Sequence, residues 1–309
     1  MASVYRAIEI PGGRVVALKV LNGLTPRTGE TLRDGDDGAA RFEREGRAIE
    51  ALDNEHIARI YDTGTDEFSG APFMAIELLR GEDLQKLVDR LGPLPPELAL
   101  RLVGQACVGI LHAHGVGVIH RDIKPSNLFL TSRPDGKLVV KVLDFGLAKM
   151  LDEERGLDAN PLSDARALTK EGAMLGTPEY MSPEQIMHPK KVDYRADVWS
   201  LGVVLYKLLA GVTPHNGYVS MGELLVGVVT KPAPPLRTIA PNVPPEVAAI
   251  AHRCIEIDPL KRYQGAQHMM REILELTHGA LEIDVTMLVA ASPNVPRRPM
   301  SEAPDTERS

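Results

Sequence analysis

Two short polar stretches carry side chains that could do chemistry together. The first, VIHRDIKPSN, places a carboxylate (Asp122), an amine two residues later (Lys124) and a carboxamide five residues later (Asn127) in one loop. The second, LDFGL, lies just downstream and adds the carboxylate of Asp144. A carboxylate can orient a hydroxyl and accept its proton, a lysine can neutralise charge on a moving phosphoryl group, and Asn and Asp oxygens can hold Mg2+ on nucleotide phosphates. The spacing therefore indicates phosphoryl transfer.

Length and composition limit the classes of protein that this chain can be. Its 309 residues suffice for one large domain or two moderate lobes. The net charge of −7 gives no reason to expect nucleic acid or an anionic membrane as a partner. The sequence has no apolar run of about 18 residues that could span a membrane, and no pattern of a signal peptide. Cys107 and Cys254 lie far apart in predicted helices, which favours two buried thiols over a disulfide and predicts a cytoplasmic location.

The N-terminal quarter of the chain has the pattern of a small β-sheet with one helix. Strands are predicted at 3–8, 14–21, 56–62 and 72–79, and a helix at 40–52. The first two strands are joined by Pro-Gly-Gly, a hairpin signal. Lys19 lies in an apolar strand, where its ammonium group needs a partner or a route to water. Taken alone, a lysine on an edge strand that reaches solvent is the simpler interpretation.

The remainder of the chain changes to helical periodicity. Helices are predicted at 81–91, 97–114, 193–210, 221–229, 246–257 and 266–277, with a strand at 138–143. His112 and His114 lie two residues apart on different faces of one helix, which favours histidines at the negative end of the helix dipole over metal ligands. From about residue 279 large apolar residues become rare, which is typical of a disordered tail or linker.

The order of the motifs resembles that of the protein kinase superfamily, most closely the bacterial serine/threonine kinases of eukaryotic type. VALK, RFERE, HRDIKPSN, DFG, GTPEYMSPE, DVWSLG and DPLKR follow one another up to about residue 277. The resemblance implies an α+β fold of two lobes, with a mainly β N-lobe at 1–79 that lacks its first strand. A larger, mainly α C-lobe would occupy 80–277, and a disordered tail or linker 278–309. ATP and Mg2+ are the implied cofactors, and protein serine and threonine hydroxyls the implied substrates.

The resemblance also implies an ATP site between the lobes. Lys19 would hold the phosphates with Glu45 as its ion-pair partner, and Glu43 is the alternative partner on another side of the same helix. Ile76 would be the gatekeeper behind the adenine. The remaining implied contacts are the backbone of Glu77 and Leu79 on the adenine edge, Val4, Ala17 and Phe129 in the pocket, and Asn127 and Asp144 as Mg2+ ligands.

In the catalytic loop, Asp122 is implied to be the base or the group that orients the hydroxyl. Lys124 would stabilise the transferred charge, and it favours Ser/Thr over Tyr specificity. Thr177 resembles the residue that hydrogen-bonds both of these side chains in Ser/Thr-specific kinases. It lies in the implied activation segment, which runs from Asp144 to Glu184.

Phosphorylation of the activation segment is a further expectation. Thr169 is the better placed acceptor and Ser163 the alternative, while an unmodified exposed threonine is an equally open interpretation. A phosphate on Thr169 could pair with Arg121 and order the segment. Three buried contacts are also implied: a stack of His120 and Phe145 completed by Ile49 and Ile60, an ion pair between Glu184 and Arg262, and hydrogen bonds from the catalytic-loop backbone to Asp197.

The N-terminus departs from the family pattern. The family places a strand and a glycine-rich loop of the form GxGGMAxVYxA over the phosphates, whereas this chain begins MASVYRA. The sequence therefore predicts a start inside that loop, with the chain truncated relative to the family. A protein that naturally lacked this lid would bind ATP weakly and leave a sheet edge unpaired.

The sequence leaves two alternative functions and one possible oligomeric state open. The missing lid suggests a kinase-like scaffold or weakly active pseudokinase, although Lys19, Asp122 and Asp144 are all present. A small-molecule phosphotransferase is disfavoured by the SPE and DPxxR motifs, which shape a groove for protein substrates. A homodimer formed through the N-lobe is also possible.

Overall fold

A four-stranded antiparallel sheet forms the N-terminal part of the protein. The computed structural model describes residues 2–21, 49–66, 68–69, 71–145 and 178–289. The strands are β1 (Ala2–Ile8), β2 (Val15–Leu21), β3 (Ile60–Thr65) and β4 (Pro72–Glu77), in the order β1-β2-β4-β3. Because β2 lies between β1 and β4, Lys19 is on an interior strand, with Val4 and Met74 as its register partners. The edge-strand interpretation of this lysine is therefore wrong.

A second, three-stranded sheet lies between the N-terminal sheet and the helices. It consists of β5 (Gly81–Asp83), β6 (Leu128–Ser132) and β7 (Leu138–Val142), in the order β5-β6-β7. The sequence predicted β7 but missed the other two strands, and it placed a helix from residue 81. That helix instead begins at Leu84, because the Asp83 carboxylate caps it by accepting a hydrogen bond from the Lys86 N–H at 2.9 Å.

The larger C-terminal part is mainly helical, which confirms the predicted α+β fold of two lobes. Its described helices are α1 (Leu84–Leu91), α2 (Pro96–Gly115), α3 (Pro183–Met187), α4 (Arg195–Ala210), α5 (Met221–Thr230), α6 (Leu236–Ile239), α7 (Pro245–Cys254) and α8 (Ala266–Leu276). The longer helices lie where periodicity predicted them, with ends shifted by a few residues. The short helix α6 lies between the predicted helices at 221–229 and 246–257, where no element was predicted.

Helix α4 forms the centre of the C-terminal core. Nearly all of its residues are buried, including Trp199 and Tyr206, and it packs against α2 and α7. Gly202 permits the close approach of α7, since a Cβ at this position would lie 2.2 Å from Cys254 Cβ. Both cysteines are free and buried, and burial raises the pKa of the Cys107 thiol to about 12. No described helix is long and apolar enough to cross a membrane.

The C-terminal boundary lies further along the chain than the sequence indicated. Ile283 is fully buried and forms an antiparallel bridge with Leu138 at the start of β7. Residues 285–287 form a turn of 3-10 helix. The expectation of a disordered tail from residue 278 is therefore wrong for residues 278–289, because isoleucine and leucine side chains spaced among polar residues find a groove that only the folded C-lobe provides. Residues 290–309 lie outside the described part of the chain.

The contact at Gly202 leads to a stability prediction. Gly202→Ala should lower the free energy of unfolding by about 1–3 kcal/mol, because the new methyl group forces α4 and α7 apart. The matched control is Gly222→Ala near the start of α5, where the added methyl group meets open space and alanine improves helix propensity. Urea unfolding of both variants measures the difference, and equal stabilities would contradict the packing argument.

Candidate active site

The catalytic-loop residues converge on Asp122. Lys124 Nζ lies 2.8 Å from Asp122 Oδ2. Asn127 Nδ2 donates to the Asp122 carbonyl oxygen at 2.8 Å and to Asp122 Oδ2 at 3.1 Å. All three residues lie in the loop between α2 and β6, and Asn127 is the last residue of a turn of 3-10 helix that Pro125 begins. The loop therefore presents a carboxylate, an ammonium group and a carboxamide at one point.

Asp144 joins this group from the end of β7. The Leu143 N–H donates to the Asn127 carbonyl oxygen at 2.8 Å, which ties the two loops together. Lys19 Nζ lies 2.7 Å from Asp144 Oδ2, so the interior lysine of β2 finds its counter-charge here. Glu45, the partner implied for Lys19, lies outside the described residues. The structure thus brings together a lysine from the N-terminal sheet and four polar groups of the C-terminal lobe.

A buried carboxylate on α4 holds the backbone of the catalytic loop in place. Asp197 accepts hydrogen bonds from the backbone N–H groups of His120 and Arg121, both at 2.9 Å. Its Oδ2 also lies 2.8 Å from Nε2 of His114 at the end of α2. Burial by itself would raise the pKa of Asp197, but the hydrogen bond and charge of His114, together with the loop contacts, hold this pKa below its usual value.

His114 is a site residue that sequence reasoning missed. It was expected to interact only with the end of its own helix. A buried aspartate needs partners, and a histidine just before the catalytic loop is one of the few polar groups in reach. The distance of 83 residues between the two side chains gives no local signal of their contact.

The backbone at Arg121 and Asp144 is strained. Their φ angles are 61° and 53°, in the left-handed region that non-glycine residues seldom adopt. Such a conformation persists only where surrounding contacts fix it. At Arg121 these contacts are the hydrogen bond to Asp197 and a hydrogen bond from Gln185 Nε2 to the Arg121 carbonyl oxygen at 2.8 Å.

His120 has a structural position. Its ring lies against Phe145 with the centroids 4.8 Å apart, and both residues are buried. Nδ1 accepts a hydrogen bond from the Asp122 N–H at 3.2 Å, so the proton of the neutral ring is on Nε2, which donates to the Leu143 carbonyl oxygen at 2.7 Å. Ile49 is buried in the same core and Ile60 packs against it.

The residues implied for the adenine pocket lie on strands of both sheets and on the segment that joins β4 to β5. Ile76 on β4 is directly opposite Ala17 on one side and Ile60 on the other. Phe129 on β6 is opposite Asp83 and Lys141. Val4 is largely exposed and Leu79 is partly buried.

Glu77 at the end of β4 makes a connection that the sequence did not indicate. Its carboxylate accepts hydrogen bonds from the Arg59 N–H at 3.0 Å and from Lys141 Nζ on β7 at 2.6 Å. Its own N–H donates to the Arg59 carbonyl oxygen, so a ligand contact with the Glu77 backbone has to use its carbonyl group. Lys141 thus links the connection between the lobes to the strand that leads to Asp144.

The implied ion pair between Glu184 and Arg262 is present and bidentate. Arg262 Nη1 and Nη2 donate to the two carboxylate oxygens at 2.6 and 2.9 Å. The guanidinium is fully buried, donates from Nε to the Glu256 carbonyl oxygen and lies over the Trp199 ring at 4.9 Å. This contact fixes the start of α3, where the implied activation segment ends. Thr169 and Thr177 of that segment lie outside the described residues.

Comparison with known proteins identifies the family. A model of the protein kinase domain matches residues 1–274. The chain belongs to the protein kinase family. It is 35% identical over 274 residues to serine/threonine-protein kinase pkn3 of Myxococcus xanthus, covering 88% of this chain and 47% of that protein. It is 32% identical over 311 residues to serine/threonine-protein kinase PknB of Mycolicibacterium smegmatis, covering 100% and 45%.

The fold also resembles that of a solved kinase domain. The crystal structure of the Mycobacterium tuberculosis PknI kinase domain superposes with a TM-score of 0.64 at 24% identity, and the match covers 89% of this chain and 90% of that one. At this identity the likeness shows the kinase fold alone. The chain spans less than half the length of the two curated relatives above, so the activity of a whole protein does not follow from these matches.

The polar groups of this kinase domain suit a hard divalent cation. Asn127 and Asp144 offer a carboxamide and a carboxylate, the oxygen donors that Mg2+ prefers when substrate phosphates and water complete its shell. No cluster of three or more His, Cys, Asp or Glu side chains that could hold a metal occurs among the described residues. Mg2+ in a site of this type needs only one or two protein carboxylates, so the donors fit.

The buried position of Asp197 leads to a prediction about pH. Asp197→Asn should lower the free energy of unfolding at neutral pH by about 3 kcal/mol, because the two backbone N–H groups donate to different carboxylate oxygens, and the NH2 that replaces one oxygen would face an N–H donor. Since folding lowers the pKa of Asp197, its stabilising contribution is present above the ordinary carboxyl pKa of about 3.9 and is lost as the pH falls through the lower folded-state value.

Urea unfolding between neutral pH and about pH 3 measures this difference. The gap between the parent and Asp197→Asn should narrow as the solution becomes acidic. The control Asp135→Asn, at an exposed turn, should stay close to the parent throughout. A gap for Asp197→Asn that is constant over this range would contradict the assignment of a lowered pKa.

The ion pair of Arg262 leads to a second stability prediction. Glu184→Gln should destabilise the fold by about 3–5 kcal/mol, because it leaves a fully buried guanidinium without its counter-charge. Glu97→Gln is the control: its pair with Arg101 is partly exposed and lies on one helix, and its loss should cost under about 1 kcal/mol. Thermal and urea unfolding compare the two variants. Similar losses would show that burial does not set the strength of the Arg262 pair.

Proposed function

We propose that this chain is an ATP-dependent kinase of serine and threonine hydroxyls on protein substrates. The observation that carries the proposal is two contacting sets of polar side chains, Lys19 with Asp144 and Asp122 with Lys124 and Asn127. The hydrogen bond from the Leu143 N–H to the Asn127 carbonyl oxygen holds the two sets together. Membership of the protein kinase family and the names of the curated relatives support it.

Each side chain has a role that its position allows. Asp122 is partly exposed at the surface of the loop, where it can orient a substrate hydroxyl and accept its proton. Lys124 lies beside the same carboxylate and can neutralise charge on the transferred phosphoryl group. Both groups are held before the substrate arrives, so the loop needs little reorganisation during the transfer.

The nucleotide phosphates would lie between the two lobes. Lys19 reaches this region from β2 and can bind the phosphates in place of its present contact with Asp144. Asn127 and Asp144 would hold Mg2+, which supplies positive charge to the phosphates when it is bound. Ile76, Ala17, Val4, Phe129 and the backbone of Glu77 and Leu79 would surround the adenine, and Glu45 would pair with Lys19.

Regulation by phosphorylation of the activation segment belongs to the same proposal. Thr169 would be the acceptor, by transfer between copies of this chain, and Arg121 would bind the phosphate. Thr177 would contact Asp122 and Lys124. The two buried free thiols favour a reducing, cytoplasmic compartment.

The kinase and pseudokinase interpretations predict different effects of Asp122→Asn. If the chain is a kinase, Asp122→Asn should lower phosphate transfer to a protein substrate by about 100-fold or more, because the carboxylate that orients and deprotonates the hydroxyl is lost. If it is a pseudokinase, the parent and the variant should have equally little transfer. ATP binding should persist, since Asp122 is not among the proposed phosphate or metal ligands. Asp135→Asn, an exposed aspartate in the β6–β7 turn, is the matched control and should keep full activity.

Transfer from radiolabelled ATP, followed by mass spectrometry of the segment 146–177, measures both substrate and Thr169 phosphorylation. A parent protein that binds ATP but has no more transfer than Asp122→Asn would establish the scaffold interpretation instead. Phosphorylation of the substrate with Thr169 unmodified would remove only the proposal about the activation segment.

A further inference from the structure

Residues 280–289, here called the strap, continue the chain past α8 and contact α2 and β7. The matched kinase domain ends at residue 274, before the strap begins. The Leu138 N–H donates to the Ile283 carbonyl oxygen at 3.0 Å, which adds Ile283 to the edge of β7 as a bridge partner. The Ile283 side chain is fully buried. The strap therefore extends the three-stranded sheet by one more contact.

Gln105 on α2 connects the strap with β7. This side chain is almost fully buried, and its Nε2 donates to the Leu281 carbonyl oxygen at 2.8 Å. Its Oε1 accepts a hydrogen bond from the Val140 N–H at 2.7 Å. The neighbouring residue is Gly104, where a Cβ would lie 2.6 Å from Leu281 Cδ2, so the absence of a side chain makes room for the strap.

Charged groups on either side support the same position. Lys137 Nζ lies 2.6 Å from the Glu282 carboxylate, and Arg101 Nη1 donates to the Glu282 carbonyl oxygen at 2.5 Å. These contacts are exposed and contribute little energy on their own. Both contacts are made to Glu282, the residue before the buried Ile283, so they hold the strap next to its bridge with β7.

Strand β7 leads from the strap directly to the active site. Its last residue, Val142, exchanges hydrogen bonds with the backbone of His56 and Ala58. The next residue, Leu143, donates its N–H to the Asn127 carbonyl oxygen, and Asp144 follows. One end of the strand is thus fixed by the strap and Gln105, and the other end places a carboxylate beside Lys19.

We propose that the strap is part of the catalytic unit, and that Ile283 and Gln105 are positioning residues for Asp144. The proposal rests on the proposed function, because it takes Asp144 to be a Mg2+ ligand. When the strap is seated, β7 has a single register against α2 and Asp144 has a fixed position. When a partner or a covalent change removes the strap from its groove, β7 loses a neighbour and Mg2+ binds less well.

The test uses single substitutions in the strap, made in the full chain. Ile283→Asp places a charge in the buried groove, and Val285→Asp adds the same charge at a largely exposed position of the same segment. Amide hydrogen exchange at Leu138 reports whether the strap is seated, and exchange at Leu143 reports whether the end of β7 is still held. Ile283→Asp should accelerate exchange at Leu138 by about tenfold or more and at Leu143 by about threefold, with neither change in Val285→Asp.

The Mg2+ dependence of phosphate transfer supplies the functional measurement. Ile283→Asp should raise the Mg2+ concentration for half-maximal transfer by about threefold to tenfold, without changing the KM for the protein substrate. Ile283→Val should restore both values, because it keeps an apolar β-branched side chain in the groove. If Ile283→Asp does not fold, Ile283→Ala takes its place with the same comparisons.

Each result decides the proposal. Unchanged exchange at Leu138 would show that the strap is not seated in solution. Faster exchange at Leu138 with no change at Leu143 or in the Mg2+ dependence would show a structural segment without a positioning role. A parent chain that transfers no phosphate would contradict the proposed function. The exchange rates at Leu138 and Leu143 would still show whether the strap is seated and whether it holds the end of β7.

Discussion

The buried carboxylate of Asp197 is the interaction on which the active site depends. It lies on α4, a helix whose residues are nearly all buried, and it accepts hydrogen bonds from two backbone N–H groups of the catalytic loop and has a contact with His114. Removing a carboxylate from water is costly, and these three contacts offset that cost. Because they bind the loop to the central helix, the strained backbone at Arg121 persists, and the residues after it have fixed positions.

Several polar links around β7 join the two lobes among the described residues, beside the apolar core that both lobes share. Lys19 reaches Asp144 just beyond the end of this strand, and Lys141 on the strand reaches Glu77 at the end of β4. The backbone of His56 and Ala58 also bonds to Val142. Strand β7 and the residues next to it therefore contact the N-terminal sheet, the catalytic loop and the strap. A change in one of these regions can reach the others through this strand.

The secondary structure was predicted best where burial on one face gives a long periodic pattern. Helices α2 and α4 are of this type, and both were placed within a few residues of their ends. Strands β5 and β6 were missed because they are short, and because they are strands only through their pairing with each other and with β7. The strap was missed for a related reason: a few apolar residues in a polar segment indicate disorder until a groove with matching shape exists.

The sequence by itself determined the family of the chain and indicated phosphoryl transfer, because the polar groups proposed to react are concentrated in two short stretches whose spacing is readable without a fold. It also indicated Asp197 as a charge within an apolar helix, and the family resemblance implied the ion pair between Arg262 and Glu184. Only the tertiary structure decided that Asp144 is the counter-charge of Lys19 among the described residues, that His114 supports Asp197, and that Ile283 completes the edge of β7. These pairings join residues far apart in the chain, and the burial that makes them favourable exists only once the lobes have folded.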